Sequence, residues 1–295
     1  MATSYFSTPE EELDPRLFDD EHLRGDIRMG LMALLFGYLD QHYTDARTWA
    51  NAWIAGSGAS YQWSAARQPG DLDVLVGVDY KAFRASNTKF AALTDVEISQ
   101  HITDGFRTDL QPKTTNWQGY EVTFYVNPHA TDIRSINPYA AYDIVNDSWT
   151  VHPDSMQQAP NNREWAVRAA KDTERAKALT QAYSTAYTAL HNAPNDAARR
   201  TAERNLYVTV DQAVALFDEI HHGRRFAFSH DGEGYYDWHN YRWQAGKESG
   251  VIDSLRQIKD WDTKTRDDRN LQTYGMQLPD ADVLIRRAVL YRSER

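Results

Sequence analysis

Two aspartates, Asp71 and Asp73, are the side chains whose spacing most directly suggests chemistry. They stand at the start of a nearly apolar run, Leu72 to Val78, which is typical of a buried β-strand. In a strand, residues two apart point to the same face, with Cα atoms roughly 6.5–7 Å apart. Two carboxylates so placed repel each other unless a cation lies between them, and Mg²⁺ or Mn²⁺ suits all-oxygen ligands. In the alternative, purely structural interpretation, Asp71 caps a turn after Pro69-Gly70 and Asp73 faces solvent.

A glycine-rich turn precedes the two aspartates. Gly56 and Ser57 follow the strand-like segment WANAWIA, and thirteen residues separate Ser57 from Asp71. The order Gly-Ser, spacer, Asp-Leu-Asp-Val resembles the signature of the DNA polymerase β-like nucleotidyltransferase superfamily. Ala55 is a weak hydrophobic residue before the glycine, and the spacer is at the long end of the pattern. The resemblance covers about residues 20–130.

The resemblance implies an α+β fold, in which a nucleotidyltransferase-type mixed β-sheet with flanking helices is joined to an α-helical C-terminal domain. It also implies a third carboxylate on a following strand. In the segment GYEVTFYVN, Glu121 fits that place, although the family more often has aspartate there. Asp71, Asp73 and Glu121 would then be the catalytic residues and the ligands of two Mg²⁺ or Mn²⁺ ions.

The implied reaction moves a nucleoside monophosphate from a nucleoside triphosphate to an acceptor hydroxyl and releases pyrophosphate. Backbone N–H groups of Gly56-Ser57 would approach the phosphates, since glycine has no Cβ in the way. Two ions roughly 3.5–4 Å apart would hold the triphosphate, activate the hydroxyl and neutralise the leaving group. The acceptor stays open between an RNA end, a protein side chain and a small molecule. Two alternatives are a cyclic-oligonucleotide synthase and a non-catalytic nucleotide-binding or interaction protein on the same fold.

Periodicity predicts the elements around these residues. Apolar positions recur at helical spacing from Glu21 to about His42, and Thr94 with Glu97 forms a capping-box pattern that begins a helix ending near Leu110. Asn146-Asp147 lies between two strand-like runs and predicts a hairpin. The predicted organisation has three parts: an acidic N-terminal arm (1–19), a nucleotidyltransferase catalytic domain (20–158) and a helical C-terminal domain (159–295).

Cationic side chains of the C-terminal half are candidates for binding the triphosphate. Arg168, Lys171 and Arg175 recur at helical spacing, and Lys171 is the one that we expect to contact phosphate. Most charges of this helix are expected to face solvent. Arg224, Arg225 and Lys247 lie in the second candidate region, the stretch IHHGRRFAFSHDGEGYYDWHNYRWQAGK, and are also predicted nucleotide-binding residues.

The aromatic residues of that stretch have two interpretations. Tyr235, Trp238 or Trp243 could stack on a base, or the aromatic side chains could complete the helical core. The second interpretation is favoured for Phe226, Phe228 and His221, because His221 follows Phe217 by four residues on an apolar helix face. His221 and His222 cannot share one ion, since adjacent helical residues diverge by about 100°.

Bulk composition restricts the class of protein. The 295 residues contain no cysteine and carry a formal net charge of −10, so disulfides and zinc–thiolate sites are excluded and duplex DNA is not expected as a partner. The hydrophobic fraction of 41% is that of a globular protein. Neither an apolar run long enough for a bilayer nor a secretory leader pattern is present, which predicts a cytoplasmic protein without a membrane partner.

Overall fold

The computed structural model describes residues 10–65, 68–128, 131–155, 158–276 and 281–293, and for residues 281, 282, 287, 292 and 293 it describes the backbone alone. The chain forms two compact units. The sheet unit comprises the described residues of 10–158, 228–235 and 281–293, and the helical unit comprises 159–227 and 236–276. The division is therefore not a single cut along the sequence. Part of the segment 159–295 belongs to the sheet unit.

The sheet unit alternates strands with short and medium helices. In chain order these are β1 (Phe18–Asp19), β2 (His22–Leu23), α1 (Gly25–His42), α2 (Ala46–Trp49), β3 (Ala50–Ala55), β4 (Gly70–Val78), α3 (Tyr80–Ser86), α4 (Asp95–Gly105), α5 (Gln111–Thr114), β5 (Tyr120–Val126), β6 (Ala141–Asp143) and β7 (Ser148–Val151). The helical unit contains α6 (Arg163–His191), α7 (Asp196–Ala227), α8 (Trp238–Glu248) and α9 (Val251–Tyr274), and α10 (Ala281–Ser293) returns to the sheet unit.

Five strands form one mixed sheet in the order β5-β4-β3-β6-β7. β4 and β5 are parallel, whereas β3 is antiparallel to both β4 and β6, and β6 is antiparallel to β7. The hairpin predicted around Asn146-Asp147 is the β6–β7 pair. The coarse prediction of a mixed sheet with flanking helices and a mainly helical second half is thereby confirmed.

The two faces of the sheet have different characters because side chains alternate along each strand. On one face, Leu72, Val74 and Val122 are fully buried against α1 and α4 in the main core of the unit. The opposite face carries a smaller apolar cluster around Trp53 and Leu75. The carboxylates of β4 and β5 lie on this second face, away from the main core.

The main core also includes residues that precede β1. Leu13 and Leu17, four residues apart, are buried in it, and Asp14 between them is 1% exposed. Packed structure therefore begins before Asp19, within the segment predicted as an acidic arm. Burial of two leucines outweighs the acidic composition that suggested a loose segment. Residues 1–9 of that arm lie outside the described residues.

The helix predicted from Thr94 to about Leu110 begins as expected and changes form before its end. Thr94 Oγ1 accepts a hydrogen bond from the Glu97 backbone N–H (3.3 Å), and the Glu97 carboxylate accepts one from the Thr94 N–H (2.8 Å), which completes the capping box. After Gly105 the chain makes a π-helical turn, Phe106–Leu110. Such a turn widens the helix by one residue and re-aims its side chains.

The helical unit buries one apolar stripe from each of its long helices. Leu206, Val210 and Phe217 of α7 pack with Leu179 of α6 and Leu255 of α9. Apolar residues at a 3.6-residue period are typical of amphipathic helices that pack on one another. No helix in the described part of the chain combines the length and the apolar character needed to cross a membrane.

Candidate active site

The three predicted carboxylates lie at the beginning of two adjacent strands. Asp71 pairs with Glu121 across β4 and β5, and Asp73 pairs with Thr123. Paired residues of parallel strands point to the same side of the sheet, so Asp71, Asp73 and Glu121 share one face. All three are half-buried, whereas Leu72 and Val122 on the other face are fully buried. Asp71 is thus a residue of β4, the strand Gly70–Val78.

The glycine-rich turn rests directly on the two aspartates. Residues Gly56–Ala59 form a single 3₁₀ turn at the end of β3, and Ser60 N–H donates to the Ser57 carbonyl (3.1 Å). Gly56 has φ of +78°, and a Cβ placed there would lie 3.5 Å from Asp73 Oδ2. A Cβ on Gly58 would lie 3.1 Å from the Asp71 carbonyl oxygen. Glycine therefore lets this turn approach both acidic positions of β4.

The first residue of β4 is supported from the main-core side by the segment before β1. Asp14 accepts hydrogen bonds from Arg16 Nε (2.9 Å), Arg16 Nη2 (2.6 Å) and the Tyr120 hydroxyl (2.5 Å). Burial, together with Asp14, raises the pKa of Tyr120, so its hydroxyl stays protonated and donates. A Cβ on Gly70 would lie 2.7 Å from the Tyr120 ring. This network positions the strand end that carries Asp71, and sequence analysis missed it.

Two other acids that could have replaced Glu121 already have structural roles. The carboxylate of Asp143, which is 5% exposed, accepts from Asn51 Nδ2 (2.9 Å) and from the backbone N–H groups of Val145 (2.9 Å) and Asn146 (2.8 Å). Glu97 closes the capping box of α4, and the hydrogen bond from the Thr94 backbone lowers its pKa. Glu121 is therefore the acid placed beside Asp71.

The donors on this face suit a hard divalent cation because they are all carboxylate oxygens. The two aspartates are the first positions to consider, with Glu121 next to Asp71 on the neighbouring strand. Within the described residues, no three acidic or imidazole side chains are already gathered tightly enough to enclose an ion. The shared face and the oxygen donors are the features that suit a metal ion here.

The predicted phosphate-binding cations all belong to the helical unit. Lys171 is exposed on α6, and Arg225 is exposed near the end of α7. Arg224 is half-buried, with its guanidinium 5.1 Å from the centroid of the Trp243 ring. Lys247 is half-buried in α8. These four residues are thus in one unit, and the three carboxylates are in the other.

The aromatic stretch that begins in the last turns of α7 divides between core and surface. His221 stacks on Phe217 with ring centroids 5.7 Å apart, as the four-residue spacing predicts, and Trp243 is buried in the helical core. Phe228 and Tyr235 both contact Tyr139 of the sheet unit. Phe226 differs from the prediction, because its side chain is 49% exposed. Its neighbour Ala227 is the buried residue at this point of α7.

The helical unit also contains a buried ion cluster that sequence analysis missed. Arg242, 8% exposed on α8, donates from Nε (2.6 Å) and Nη2 (2.8 Å) to the carboxylate of Asp172 on α6. Its Nη1 donates to Glu219 of α7 (2.7 Å). The three residues are far apart in sequence, so no local pattern indicates the cluster. It joins three helices of the unit.

Comparisons of the chain with protein-family models, with characterised proteins and with solved structures found no match.

Proposed function

We propose that this protein is a metal-dependent nucleotidyltransferase, which moves a nucleoside monophosphate from a nucleoside triphosphate to an acceptor hydroxyl. The observation that carries the proposal is the common face of Asp71, Asp73 and Glu121, with the Gly56–Ala59 turn against β4. This arrangement agrees with the resemblance of the sequence to the DNA polymerase β-like superfamily. The sheet topology alone does not carry the assignment, since one fold serves many functions.

The reaction forms a bond between the acceptor oxygen and the α-phosphorus and breaks the bond from that phosphorus to the bridging oxygen of pyrophosphate. The acceptor hydroxyl loses its proton to a carboxylate of the site or to water. Asp71, Asp73 and Glu121 would hold Mg²⁺ or Mn²⁺, which when bound would supply the positive charge that offsets the developing charge on the phosphates. Backbone N–H groups of the Gly56-Ser57 turn bind phosphate oxygens from the β3 side.

Cations beyond the metal ions are needed because a triphosphate carries several negative charges. Lys171, Arg224, Arg225 and Lys247 stay the residues that the sequence predicts to supply them. Arginine suits this task through its planar fork of N–H donors, and lysine acts as a point charge.

The decisive experiment incubates the purified protein with Mg²⁺ or Mn²⁺ and each of four α-labelled nucleoside triphosphates, with and without total RNA. Label on RNA, on protein or in a small product identifies the acceptor class. A cyclic or linear oligonucleotide made from triphosphate alone would identify the synthase alternative. Tight triphosphate binding without any transfer would establish the non-catalytic alternative. If the protein neither binds a triphosphate nor transfers a nucleotide, the proposal is overturned.

Glu121→Gln provides the most specific variant for this experiment, because it removes a charge while keeping nearly the same volume. We expect transfer to fall by at least about 100-fold, in line with losses at catalytic electrostatic groups. The matched control is Asp40→Asn on the exposed side of α1, which should keep full activity. Equal activity in the Glu121→Gln variant and in the wild type would remove Glu121 from the site.

A further inference from the structure

The sheet unit contains a cavity on the side opposite the carboxylates. Its volume is about 340 Å³, within the size range of small-molecule sites. Tyr38 and His42 of α1, His101 of α4, and Arg286 of α10 contribute to its wall. Several of its aromatic neighbours belong to the main core, which lies behind the other face of the sheet. The cavity is therefore separate from the proposed active site.

Aromatic and imidazole rings form much of the wall. Tyr38 stacks on His42 with ring centroids 4.3 Å apart, and His101 lies 5.1 Å from Phe90 and 6.3 Å from Tyr43. Planar ligands bind well against the faces and edges of such rings, because stacking adds to the burial of apolar area. The wall thus favours a ligand that contains a planar ring.

Two local features of the backbone shape this cavity. A Cβ on Gly105 would lie 2.1 Å from the Tyr38 hydroxyl oxygen, so only glycine leaves the tyrosine in its place. The π-helical turn that follows, Phe106–Leu110, brings Thr108 and Asp109 into the wall. A π-helical turn is less stable than a continued α-helix, and such turns occur frequently at functional sites.

Charged groups of both signs also line the cavity. Arg286 is 5% exposed and donates from Nη2 to Asp104 Oδ2 (2.9 Å), and Lys89 supplies a second cation. Asp109 is the second carboxylate, with one oxygen 3.9 Å from His42 Nε2. Burial, reinforced by Lys89 and Arg286, lowers the pKa of His101. His101 is consequently neutral at pH 7 and offers one donor and one acceptor.

We propose that this cavity is a second ligand site, which binds a nucleoside monophosphate. The rings accept the base, Asp109 accepts hydrogen bonds from the amino groups of the base, and Lys89 and Arg286 attract the phosphate. A planar ring, N–H donors and a compact anion are the three properties that the wall matches together. The proposal does not depend on nucleotidyl transfer, since none of these residues belongs to the carboxylate face.

The test measures binding of AMP, GMP, CMP and UMP to the full chain by calorimetry in EDTA, which removes the metal that the carboxylate face requires. We expect at least one monophosphate to bind, and its nucleoside and ribose 5-phosphate to bind at least ~10-fold more weakly, because each lacks one of the matched groups. Failure of all four monophosphates to bind would overturn the proposal. Ribose 5-phosphate binding as tightly as the best nucleotide would overturn it as well.

Variants then locate the site. Lys89→Ala should weaken the bound monophosphate by ~10-fold or more, and Asp109→Asn should change the preference among bases, while Lys113→Ala, an exposed lysine on α5, should have no effect. Asp109→Asn keeps nearly the original side-chain volume, so it still tests whether the monophosphate binds in the cavity even where Lys89→Ala lowers stability. Binding that survives both cavity variants, or that is lost in Asp73→Asn instead, would show that the cavity is not the site.

Discussion

Asp71 and Glu121 occupy paired positions on β4 and β5, which are the parallel neighbours among the described strands. Adjacent strands lie about 4.8 Å apart, so the pairing brings two acidic side chains to the same level of one face. Asp73 follows two residues further along the same face. Three like charges in this arrangement raise the free energy of the site unless a cation offsets them. The effect of a divalent cation on this face is therefore a direct test of the proposed function.

The first prediction is that a nucleoside triphosphate stabilises the carboxylate face only when Mg²⁺ or Mn²⁺ is present. Without a cation, the carboxylates repel the triphosphate. At a concentration 100 times its dissociation constant, a bound triphosphate should add about 2.7 kcal/mol to the free energy of unfolding. Thermal unfolding with triphosphate and metal, with and without EDTA, measures this stabilisation. The Lys89→Ala variant is used because its cavity beside Tyr38 and His42 should bind nucleotide only weakly and contribute little to the shift. Equal shifts in the two conditions would contradict the prediction.

The second prediction is that Asp73→Asn abolishes nucleotidyl transfer and leaves the protein folded. Asparagine has nearly the same volume, so the change removes a metal ligand charge and little else. The unfolding temperature should stay the same or rise, because the metal-free site loses a like-charge repulsion. Transfer assays and thermal unfolding check the two parts, with Asp40→Asn as the control. Full activity at saturating metal and triphosphate would exclude the two-metal assignment, and an unfolded variant would make Asp73 a structural residue.

The third prediction concerns Gly56, whose φ of +78° is unfavourable for other residues. Gly56→Ala should cost roughly 1–2 kcal/mol of stability for the left-handed conformation and should also weaken triphosphate binding, because its methyl group would lie beside Asp73. Gly250→Ala is a matched control, since Gly250 has φ of +76° and a Cβ there meets nothing within 4 Å. Both variants should lose similar stability in denaturant titrations. The prediction fails if both bind triphosphate equally well.

Local sequence patterns predicted the parts of this arrangement that depend on one element. The two-residue period of any strand predicted that Asp71 and Asp73 point to the same face of β4. In the same way it predicted which face of β5 carries Glu121. The capping box of Thr94 and Glu97 was predictable for the same reason, since its hydrogen bonds span three residues. The chemistry assigned to the carboxylates remains a prediction, which the transfer assays test.

Contacts between distant segments were not predictable from one sequence. Arg286 and Asp104 are 182 residues apart, and their ion pair helps to hold α10 against α4. The sequence predicted that residues 159–295 form one helical domain, whereas α10 belongs to the sheet unit. Likewise, nothing near Leu13 indicates that the main core would bury it. The π-helical turn after Gly105 was also missed, and the residue that packs against Gly105, Tyr38, lies on another helix.

The fourth prediction is a loss of stability as the pH falls below about 6.5. Burial lowers the pKa of His101 from its ordinary value of 6.5, and Lys89, Arg286 and His42 lower it further while Asp104 opposes them. The unfolded chain therefore binds a proton that the folded protein resists. The contribution of neutral His101 to the free energy of unfolding is fully present above pH 6.5. It is lost as the pH falls through the lower pKa that His101 has in the folded protein, by at most ~1.4 kcal/mol per pH unit for one proton.

Urea titrations at pH 5.0 to 7.5 on wild type and His101→Gln test that dependence. Glutamine does not titrate, so the variant should lose stability more slowly as the pH falls. His221→Gln should have a similar effect on the helical unit, because burial lowers the pKa of His221 too. Parallel pH dependences for the wild type and His101→Gln would show that His101 does not contribute.

The last prediction concerns the ion cluster of the helical unit, in which the partners differ in exposure. The side chain of Arg242 is 9% exposed and that of Asp172 is 18% exposed, whereas Glu219 is 56% exposed. Asp172→Ala should lower the free energy of unfolding by roughly 3–5 kcal/mol, because it leaves the guanidinium buried beside a solvated carboxylate. Glu219→Gln should cost only about 0–1 kcal/mol, as surface ion pairs do. The two variants should differ because Asp172 is largely removed from solvent, whereas Glu219 stays hydrated.

A double variant separates the ion pair from the packing around it. Arg242→Met removes the buried charge and fills similar space, so Asp172→Ala should cost much less in the Arg242→Met background than in the wild type. Urea unfolding of the four proteins gives the coupling energy, which should exceed about 1 kcal/mol for groups in direct contact. If the two single effects simply add, or if Glu219→Gln destabilises as much as Asp172→Ala, then the buried guanidinium is not the source of the cost.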